Sequence, residues 1–300
     1  MKNHSLRNIS LFLALSLCWA PSFLFMKIAV RELPPVVIAD MRVFIAFLVL
    51  FLFMKIKNIK FPRDLTSWKH FSIMAIFSTA LPFALFPLSE KYIDSSLAAI
   101  INGTTPLFTL LLAHYSTNND RLSIQKVAGS SLGWGGLLVL VWPTLVDSEA
   151  TFFGIVIGVI AAASYGVGFV YAKKYIHGFK PFVVPTAQLF IASLILFPFT
   201  LFESDFSLSQ ISIISIMSVL GLALIGSALA FVIYYKLIAL TNATYTSAVN
   251  YTLPVFGMIL GAVFLNEKLS WNSYFGAAMI IIGVMIANGL VRIKSVKKNL

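Results

Sequence analysis

The sequence predicts an all-α integral membrane protein whose ten transmembrane helices form two inverted repeats of five. Three observations predict this fold class. Hydrophobic residues make up 59% of the 300-residue chain and charged residues 11%, with a mean hydropathy of +0.91. Ten apolar runs, each of about 20 residues and therefore long enough to cross a bilayer as helix, follow one another with short linkers. The first half of the sequence also resembles the second half at a nearly constant offset.

The apolar runs leave no stretch of sequence for a soluble domain, which would carry about 25% charged residues. The first run is too long for the core of a signal peptide and long enough to span a membrane. The ten predicted spans are 9–29, 36–54, 70–89, 95–115, 125–143, 152–172, 182–202, 212–235, 243–265 and 271–291.

The loops predict the orientation of the spans. With the N-terminus inside, the inner segments hold 17 of the 22 Lys and Arg residues and the outer segments hold four. Eight of the 11 acidic residues fall on the outer side, Glu90 and Glu267 among them. This bias predicts that both termini are cytoplasmic. It also accounts for the net charge of +11, so we expect a lipid bilayer, the inner membrane of a bacterium, as the partner and no nucleic acid.

Residues of the two halves match at offsets of 146–148. We therefore divide the chain into repeats 1–146 and 147–300. Because each repeat has an odd number of spans, the second enters the membrane inverted, an arrangement typical of secondary transporters. The matched pairs are Trp19 with Tyr165, Phe23 with Phe169, Lys27 with Lys173, Arg42 with Gln188, Asn102 with Asn250, Pro106 with Pro254, Gly129 with Gly276, and Gly136 with Gly283.

Three stretches carry a resemblance to a known family. "WAPSFLFMKIA" followed by "PPVVIADMRVFIAFLVLF", and "NYTLPVFGMILGAVFLNEKLS" near the end, resemble the EamA-type members of the drug/metabolite transporter superfamily. The resemblance covers both halves. It implies an EamA-like fold with two EamA repeats, a central cavity between them, and carriage of small metabolites, often outward. The first half departs from the family pattern at Ala20-Pro21, where Gly-Ser is usual, and at Asp120, where a Gly-Glu ending is expected.

Small and polar residues interrupt the fourth and ninth spans. Such a face packs closely against another helix or lines a cavity, and both interpretations stay open. The prolines free a backbone carbonyl one turn earlier, so Pro106 and Pro254 are also candidate flexing points, with Gly257 as a packing position. One helical face carries Asn102, Thr105 and Pro106 in the fourth span, and Asn250, Pro254 and Gly257 in the ninth.

Arg42 lies roughly 10 Å inside the second span at 1.5 Å per residue. A charge at that depth is costly and is normally paired or functional. One interpretation is a structural arginine that bonds helix-end carbonyls or Asp40, or that extends outward to the headgroups. The other is a partner for a substrate carboxylate or phosphate. Its equivalent, Gln188, is neutral, so the two halves differ in charge.

Aromatic residues near the middle of the first and sixth spans are the second group of candidates. Aromatic residues at a membrane interface lie at span ends, so a central Trp19 indicates a position facing protein or a cavity. The candidate substrate-binding residues are therefore Trp19, Phe23, Arg42, Asn102, Thr105, Tyr165, Phe169, Gln188, Asn250 and Tyr251.

These features predict a secondary transporter that moves a small polar metabolite, such as an amino acid, by alternating access. Export rests on the resemblance alone. The alternative within transport is import or exchange of a cationic or nucleotide-like metabolite such as S-adenosylmethionine, for which the aromatic rings would supply cation–π contacts. From another class, a non-transporting receptor or assembly partner stays open.

No enzyme or cofactor is expected. The four His residues and Cys18 show no metal-ligand spacing, and no phosphate-binding glycine loop is present. No acidic residue is predicted deep in a span, so the sequence gives proton coupling little support and leaves the coupling ion open. Monomer and homodimer are both compatible with the sequence.

Overall fold

The computed structural model describes residues 2–116, 124–142, 149–180, 182–203, 211–287 and 291. All regular structure within those residues is helical, which confirms the all-α prediction. Eight helices in the described part of the chain are long and apolar enough to cross a membrane. Two shorter helices, Ile124–Val141 and Trp271–Ala287, pack against each other in the fifth and tenth positions. The predicted domain boundary and Asp120 lie outside the described residues.

We number the ten helical passes α1 to α10 and mark the segments of an interrupted pass a and b. The first half holds α1a (Lys2–Trp19), α1b (Ser22–Ala29), α2 (Pro35–Ile56), α3a (Leu65–Ala75), a π-helical turn (Ile76–Ala80), α3b (Leu81–Glu90), α4a (Ser95–Asn102), α4b (Thr105–Ser116) and α5 (Ile124–Val141). The second half holds α6 (Glu149–Tyr175), α7 (Val183–Leu201), α8a (Ile213–Ala223), a π-helical turn (Leu224–Leu229), α8b (Ala230–Leu240), α9a (Ala243–Ser247), a 3-10 turn (Ala248–Tyr251), α9b (Thr252–Leu265) and α10 (Trp271–Ala287).

Side-chain caps fix where the third pass of each half begins. Asp64 accepts a hydrogen bond from the Ser67 amide at 2.7 Å, and Ser212 accepts one from the Ser215 amide at 3.3 Å. Such caps satisfy amides that the first helical turn leaves unpaired. The hydrogen bonds from Ser67 lower the pKa of Asp64 below its ordinary value. Both caps precede the π-helical turns by a similar distance, so the two passes share one register.

The interruption of α4 explains the run "NGTTP". Asn102 ends α4a, Thr105 begins α4b, and Pro106 is the second residue of the new helix. Proline is tolerated in a first helical turn because the amide there has no partner within the helix. In α9 the 3-10 turn Ala248–Tyr251 makes the equivalent interruption, and Pro254 is the third residue of α9b.

Glycines hold α5 and α10 in close contact. A Cβ added at Gly136 would lie 2.7 Å from the Gly276 carbonyl oxygen, and one at Gly276 would lie 2.8 Å from the Gly136 oxygen. Gly129 touches Gly283 in the same way. Only glycine allows backbones to approach this closely. Since the pairs run in opposite chain order, the last passes of the two halves are antiparallel.

Candidate functional site

A central cavity lies between the two halves, and side chains of both halves line it. Its volume is about 50 Å³, which holds a few water molecules at roughly 10–15 Å³ each. In this conformation side chains therefore fill the middle of the protein, and an amino acid would need them to move. The walls combine aromatic rings with a few polar groups, the composition typical of a small-molecule site.

Arg42 is buried in the cavity wall and holds the π-helical turn of α8. Its Nε donates to Ser227 Oγ at 2.6 Å and its Nη2 to the Gly226 carbonyl at 3.0 Å. The guanidinium carbon lies 3.7 Å from the centroid of the Phe83 ring, a cation–π contact. The Asp40 carboxylate accepts from Ser193. Nη1 of Arg42 donates to Met26 Sδ at 4.0 Å, so three of the five guanidinium N–H groups have partners among the described residues, and none of these partners is a carboxylate. The other two N–H groups are left for the cavity that Arg42 lines.

Gln188 makes the equivalent contact from the second half. Its Nε2 donates to Thr79 Oγ1, in the π-helical turn of α3, and its Oε1 accepts from the Tyr235 hydroxyl. The pair Gln188–Thr79 is thus related to the pair Arg42–Ser227 by the repeat offset. Both ends of the amide are engaged, and Gln188 lies outside the cavity wall.

Aromatic rings pack in matched pairs around the cavity, and each pair has an equivalent at the repeat offset. Phe23 meets Phe86 edge-on with centroids 5.4 Å apart, as Phe169 meets Tyr234 at 5.4 Å. Phe83 and its equivalent Phe231 stack on each other at 5.9 Å. Trp19 contacts Tyr234, and Tyr165 contacts Phe86. The rings from both halves therefore form one continuous wall.

Most of the predicted substrate-binding residues converge on this cavity, and three do not. Thr105 donates to Asn102 Oδ1 at 3.1 Å and stands behind it, while Gln188 and Tyr251 are buried elsewhere. At Gly257 an added Cβ would overlap the Cβ of Ala99, so α9b and α4a are closely packed there. The predicted residues in the wall are Trp19, Phe23, Arg42, Asn102, Tyr165, Phe169 and Asn250.

The prediction missed the contribution of the third and eighth passes. An offset of 148 aligns Phe83 with Phe231 and Phe86 with Tyr234, so extending the repeat comparison through these spans would have found all four. The wall residues absent from the prediction are Ser22, Met26, Ser78, Pro82, Phe83, Phe86, Phe231, Tyr234 and Leu253.

Two polar atoms in the wall have no hydrogen-bond partner among the described residues. Ser22 Oγ and Asn250 Nδ2 are both buried. Buried polar groups are nearly always paired, so these atoms indicate contact with water or a polar ligand. Together with the unengaged part of Arg42, they give the cavity several donors suited to an acidic or zwitterionic group.

The comparison with known families identifies the chain. The EamA-like transporter family matches residues 6–142 and again 152–289. The chain belongs to the EamA-like transporter family. This confirms the resemblance seen in the sequence, and the apolar helices agree with a multi-pass integral membrane transporter.

Several relatives of this EamA-like transporter match over nearly their whole length. "Uncharacterized transporter YoaV" of Bacillus subtilis (strain 168) is 22% identical over 275 residues, covering 91% of this chain and 94% of the relative. "Probable amino-acid metabolite efflux pump" of Escherichia coli (strain K12) is 26% identical over 282 residues, covering 89% and 90%. A protein of known crystal structure shares the fold with a TM-score of 0.69 at 18% identity, covering 97% of this chain and 99% of that chain.

Proposed function

We propose that this transporter is a secondary carrier that exports small carboxylate-bearing metabolites, such as amino acids, by alternating access through the central cavity. The observation that carries the proposal is Arg42, a buried guanidinium in the cavity wall with no carboxylate among its partners in the described residues. The name of the Escherichia coli relative agrees with the substrate class and the outward direction.

We propose that residues 1–146 and 147–300 form two inverted repeats, and that this symmetry gives the carrier its alternating access. The family match to two separate parts of the chain supports it. The antiparallel contact of α5 with α10 also supports it. The matched contacts of Arg42 and Gln188 with opposite π-helical turns support it as well. Exchanging the conformations of the halves would close one end of the cavity and open the other.

The proposal also includes the orientation of the carrier in the membrane and the membrane that holds it. We assign the end of the bundle formed by Lys27, Glu90, Asp94 and Glu267, named the Glu90 end below, to the outside of a bacterial inner membrane, with both termini in the cytoplasm. The excess of Lys and Arg in the segments at the opposite end supports this assignment. Both a monomer and a homodimer are compatible with this proposal, because residues of one chain line the cavity.

A substrate carboxylate would take the unengaged donors of Arg42, with Ser22 Oγ and Asn250 Nδ2 within the same wall for a second polar group. The rings Phe83, Phe86 and Tyr165 would flank the rest of the molecule. Because the present volume is small, binding requires the wall to open at one end, which is the step that alternating access supplies.

The test is the thermal stability of the purified protein against a panel of amino acids and related metabolites, for the wild type and for Arg42→Gln. A ligand at 100 times its dissociation constant stabilises by about 2.7 kcal/mol. We expect carboxylate-bearing ligands to stabilise the wild type and to lose their effect in Arg42→Gln. Arg31→Gln, at an exposed loop position, is the control and should keep it.

The ring-lined wall favours one competing candidate, a cationic or nucleotide-like substrate such as S-adenosylmethionine. A cationic ligand that stabilises both variants equally would establish that candidate and overturn the role of Arg42. Ligands that bind without crossing the membrane of liposomes would indicate a receptor and overturn the carrier.

A further inference from the structure

Glu90 is a buried carboxylate without a hydrogen-bond donor. It is the last residue of α3b and is 0% exposed, and neither side-chain oxygen has a partner among the described residues. The apolar run that ends at residue 89 predicts that Glu90 belongs to an outer segment, whereas the structure buries its side chain inside the bundle. An ionised carboxylate in such surroundings is costly, so the arrangement fits the neutral acid.

Lys27 ties the helix that carries Glu90 to α1b. Its Nζ donates to the Glu90 carbonyl at 2.7 Å and to the Ile93 carbonyl at 2.7 Å. The ammonium group is thus committed to backbone carbonyls at the end of α3b, where the helix leaves acceptors unpaired. The positive charge of Lys27 favours the ionised form of Glu90, but Lys27 donates no hydrogen bond to the carboxylate.

Glu267 ties α4a to the end of α9b. Its carboxylate accepts from the Ser95 and Ser96 amides, at 2.8 and 2.9 Å, and from both serine hydroxyls. Burial raises the pKa of Glu267, but these hydrogen bonds from Ser96 and Ser95 outweigh it and hold the pKa below its ordinary value. Burial and the charge of Glu267 raise the pKa of Asp94.

Among the described residues, Glu90 is therefore the buried acid at this end that has no donor, while Glu267 is satisfied as an anion and Asp94 is exposed to solvent. The other titratable groups on the elements around the Glu90 end are Arg31 and Glu32 after α1b, Lys91 and Tyr92 after α3b, Asp40 and Arg42 on α2, Glu149 at the start of α6, and Lys268 after α9b.

The Glu90 end adjoins the central cavity. Glu90 lies one turn beyond Phe86, and Lys27 lies one turn beyond Phe23, and these two rings pack edge-on in the cavity wall. One layer of rings therefore separates the buried carboxylate from the site proposed for the substrate. Any motion that parts α1b from α3b to admit a substrate also admits water to Glu90.

Building on the carrier function proposed above, we propose that Glu90 binds the proton that this transporter exchanges for its substrate. When the Glu90 end is open, water lets the carboxyl group gain or lose its proton. Closure of the Glu90 end around an empty cavity expels that water and favours the neutral acid, so protonation permits the closed arrangement seen here. When the cavity opens on the other side, water reaches Glu90 through it, and the carboxyl group loses its proton there as the substrate binds. The substrate-loaded carrier then reopens at the Glu90 end, where the substrate leaves and the next proton binds.

The test compares two assays in liposomes, with a labelled mixture of the L-amino acids as the probe. The first is exchange of labelled for unlabelled amino acids at equal pH on both sides, and the second is uphill movement driven by a pH step. Glu90→Gln keeps the shape and the neutral state, so it should retain exchange and lose all uphill movement. Glu149→Gln, which changes an exposed acid at the same end, should retain both.

Uphill movement that survives in Glu90→Gln would overturn the proposal, as would uphill movement driven by a sodium gradient in place of a pH step.

If the wild type shows no exchange, the carrier function fails, and a measurement of stability without substrate still tests Glu90. As the pH rises above about 4.3, the ordinary pKa of a glutamate, the unfolding midpoint of the wild type should fall because the buried group resists ionisation in the folded protein. Glu90→Gln should lack that fall, and equal slopes in the two proteins would overturn the proton site.

Discussion

Arg42 and Gln188 hold equivalent positions on α2 and α7, and each reaches a π-helical turn in the opposite half of the chain. Arg42 donates to Ser227, and Gln188 donates to Thr79. The amide of Gln188 is fully engaged because Tyr235 occupies its oxygen, whereas the guanidinium of Arg42 keeps donors toward the cavity. Both residues thus make a contact between the halves, but only Arg42 carries a charge and donors left for the cavity.

The two capping lysines show the same kind of difference. Lys27 bonds two carbonyls at the end of α3b, and Lys173 bonds those of Ile238 and Thr241 at the end of α8b, at 3.3 and 2.6 Å. The repeat offset places Ile238 opposite Glu90, so the second half carries the same lysine cap without a buried acid. Equivalent architecture therefore carries a titratable group at one end only.

Removing each lysine is the substitution with the largest expected contrast. Lys27→Met should cost about 1.5–3 kcal/mol of unfolding free energy, because it leaves helix-end carbonyls unpaired beside the buried Glu90. Lys173→Met should cost about 1 kcal/mol or less, since Lys173 is exposed and water replaces its bonds. Thermal unfolding in detergent measures both, and equal losses would show that the acid at Glu90 adds nothing to the role of Lys27.

A serine and a glycine exchange places between the two interfaces at the π-helical turns. Ser22 on α1b faces Gly226 in the turn of α8, and Gly168 on α6 faces Ser78 in the turn of α3. Residues 22 and 168 are equivalent at offset 146, and 78 and 226 at offset 148. Each interface therefore has room for one hydroxymethyl group, which either helix supplies.

Gly226→Ser should break the first of these interfaces. An added Cβ would lie 2.9 Å from Ser22 Oγ and 3.3 Å from Arg42 Nη2, and overpacking of this kind costs about 1–3 kcal/mol. The double variant Ser22→Gly with Gly226→Ser reproduces the Gly168–Ser78 arrangement and should recover most of the loss. A double-mutant cycle of unfolding midpoints measures the coupling. A double variant no more stable than Gly226→Ser would mean that the two interfaces are not equivalent.

The sequence predicted the helical passes well because crossing a bilayer imposes a length and a composition that can be read locally. The repeat pattern also pointed to Trp19, Phe23, Tyr165 and Phe169, which all line the cavity. They lie together because equivalent positions in related halves meet near their common axis. Arg42 has structural partners, but they are a hydroxyl and a carbonyl inside a π-helical turn and not the helix-end carbonyls or Asp40 named in the sequence interpretation. Its remaining donors leave the substrate interpretation standing.

The π-helical turns and the burial of Glu90 were beyond sequence reasoning for a shared reason. Both depend on contacts between segments far apart in the chain. Ser227 is held by Arg42, 185 residues away, and the end of α3b is closed by Lys27, 63 residues from Glu90. A glutamate after an apolar run reads as the start of a loop, and nothing local distinguishes one that other helices cover.

The prolines offer the smallest expected effects and the finest test of equivalence. Pro106 and Pro254 lie in the first turns of α4b and α9b, where an alanine amide would find no acceptor within the helix. Pro106→Ala and Pro254→Ala should each change the unfolding free energy by less than about 1 kcal/mol, mainly through the unfolded chain.

Pro198, inside α7, is the matched control for these two prolines. Pro198→Ala adds an amide that can join the helix and should raise the unfolding midpoint.

Exchange in liposomes tests the role of the two prolines in transport. If Pro106→Ala and Pro254→Ala keep wild-type exchange rates, the interruptions themselves, and not their prolines, provide the bending points of the two halves. If both slow exchange while the bound substrate still stabilises the protein, the prolines are the flexing points that their matched positions in the sequence predict. A loss in only one of them would assign the moving segment to that half.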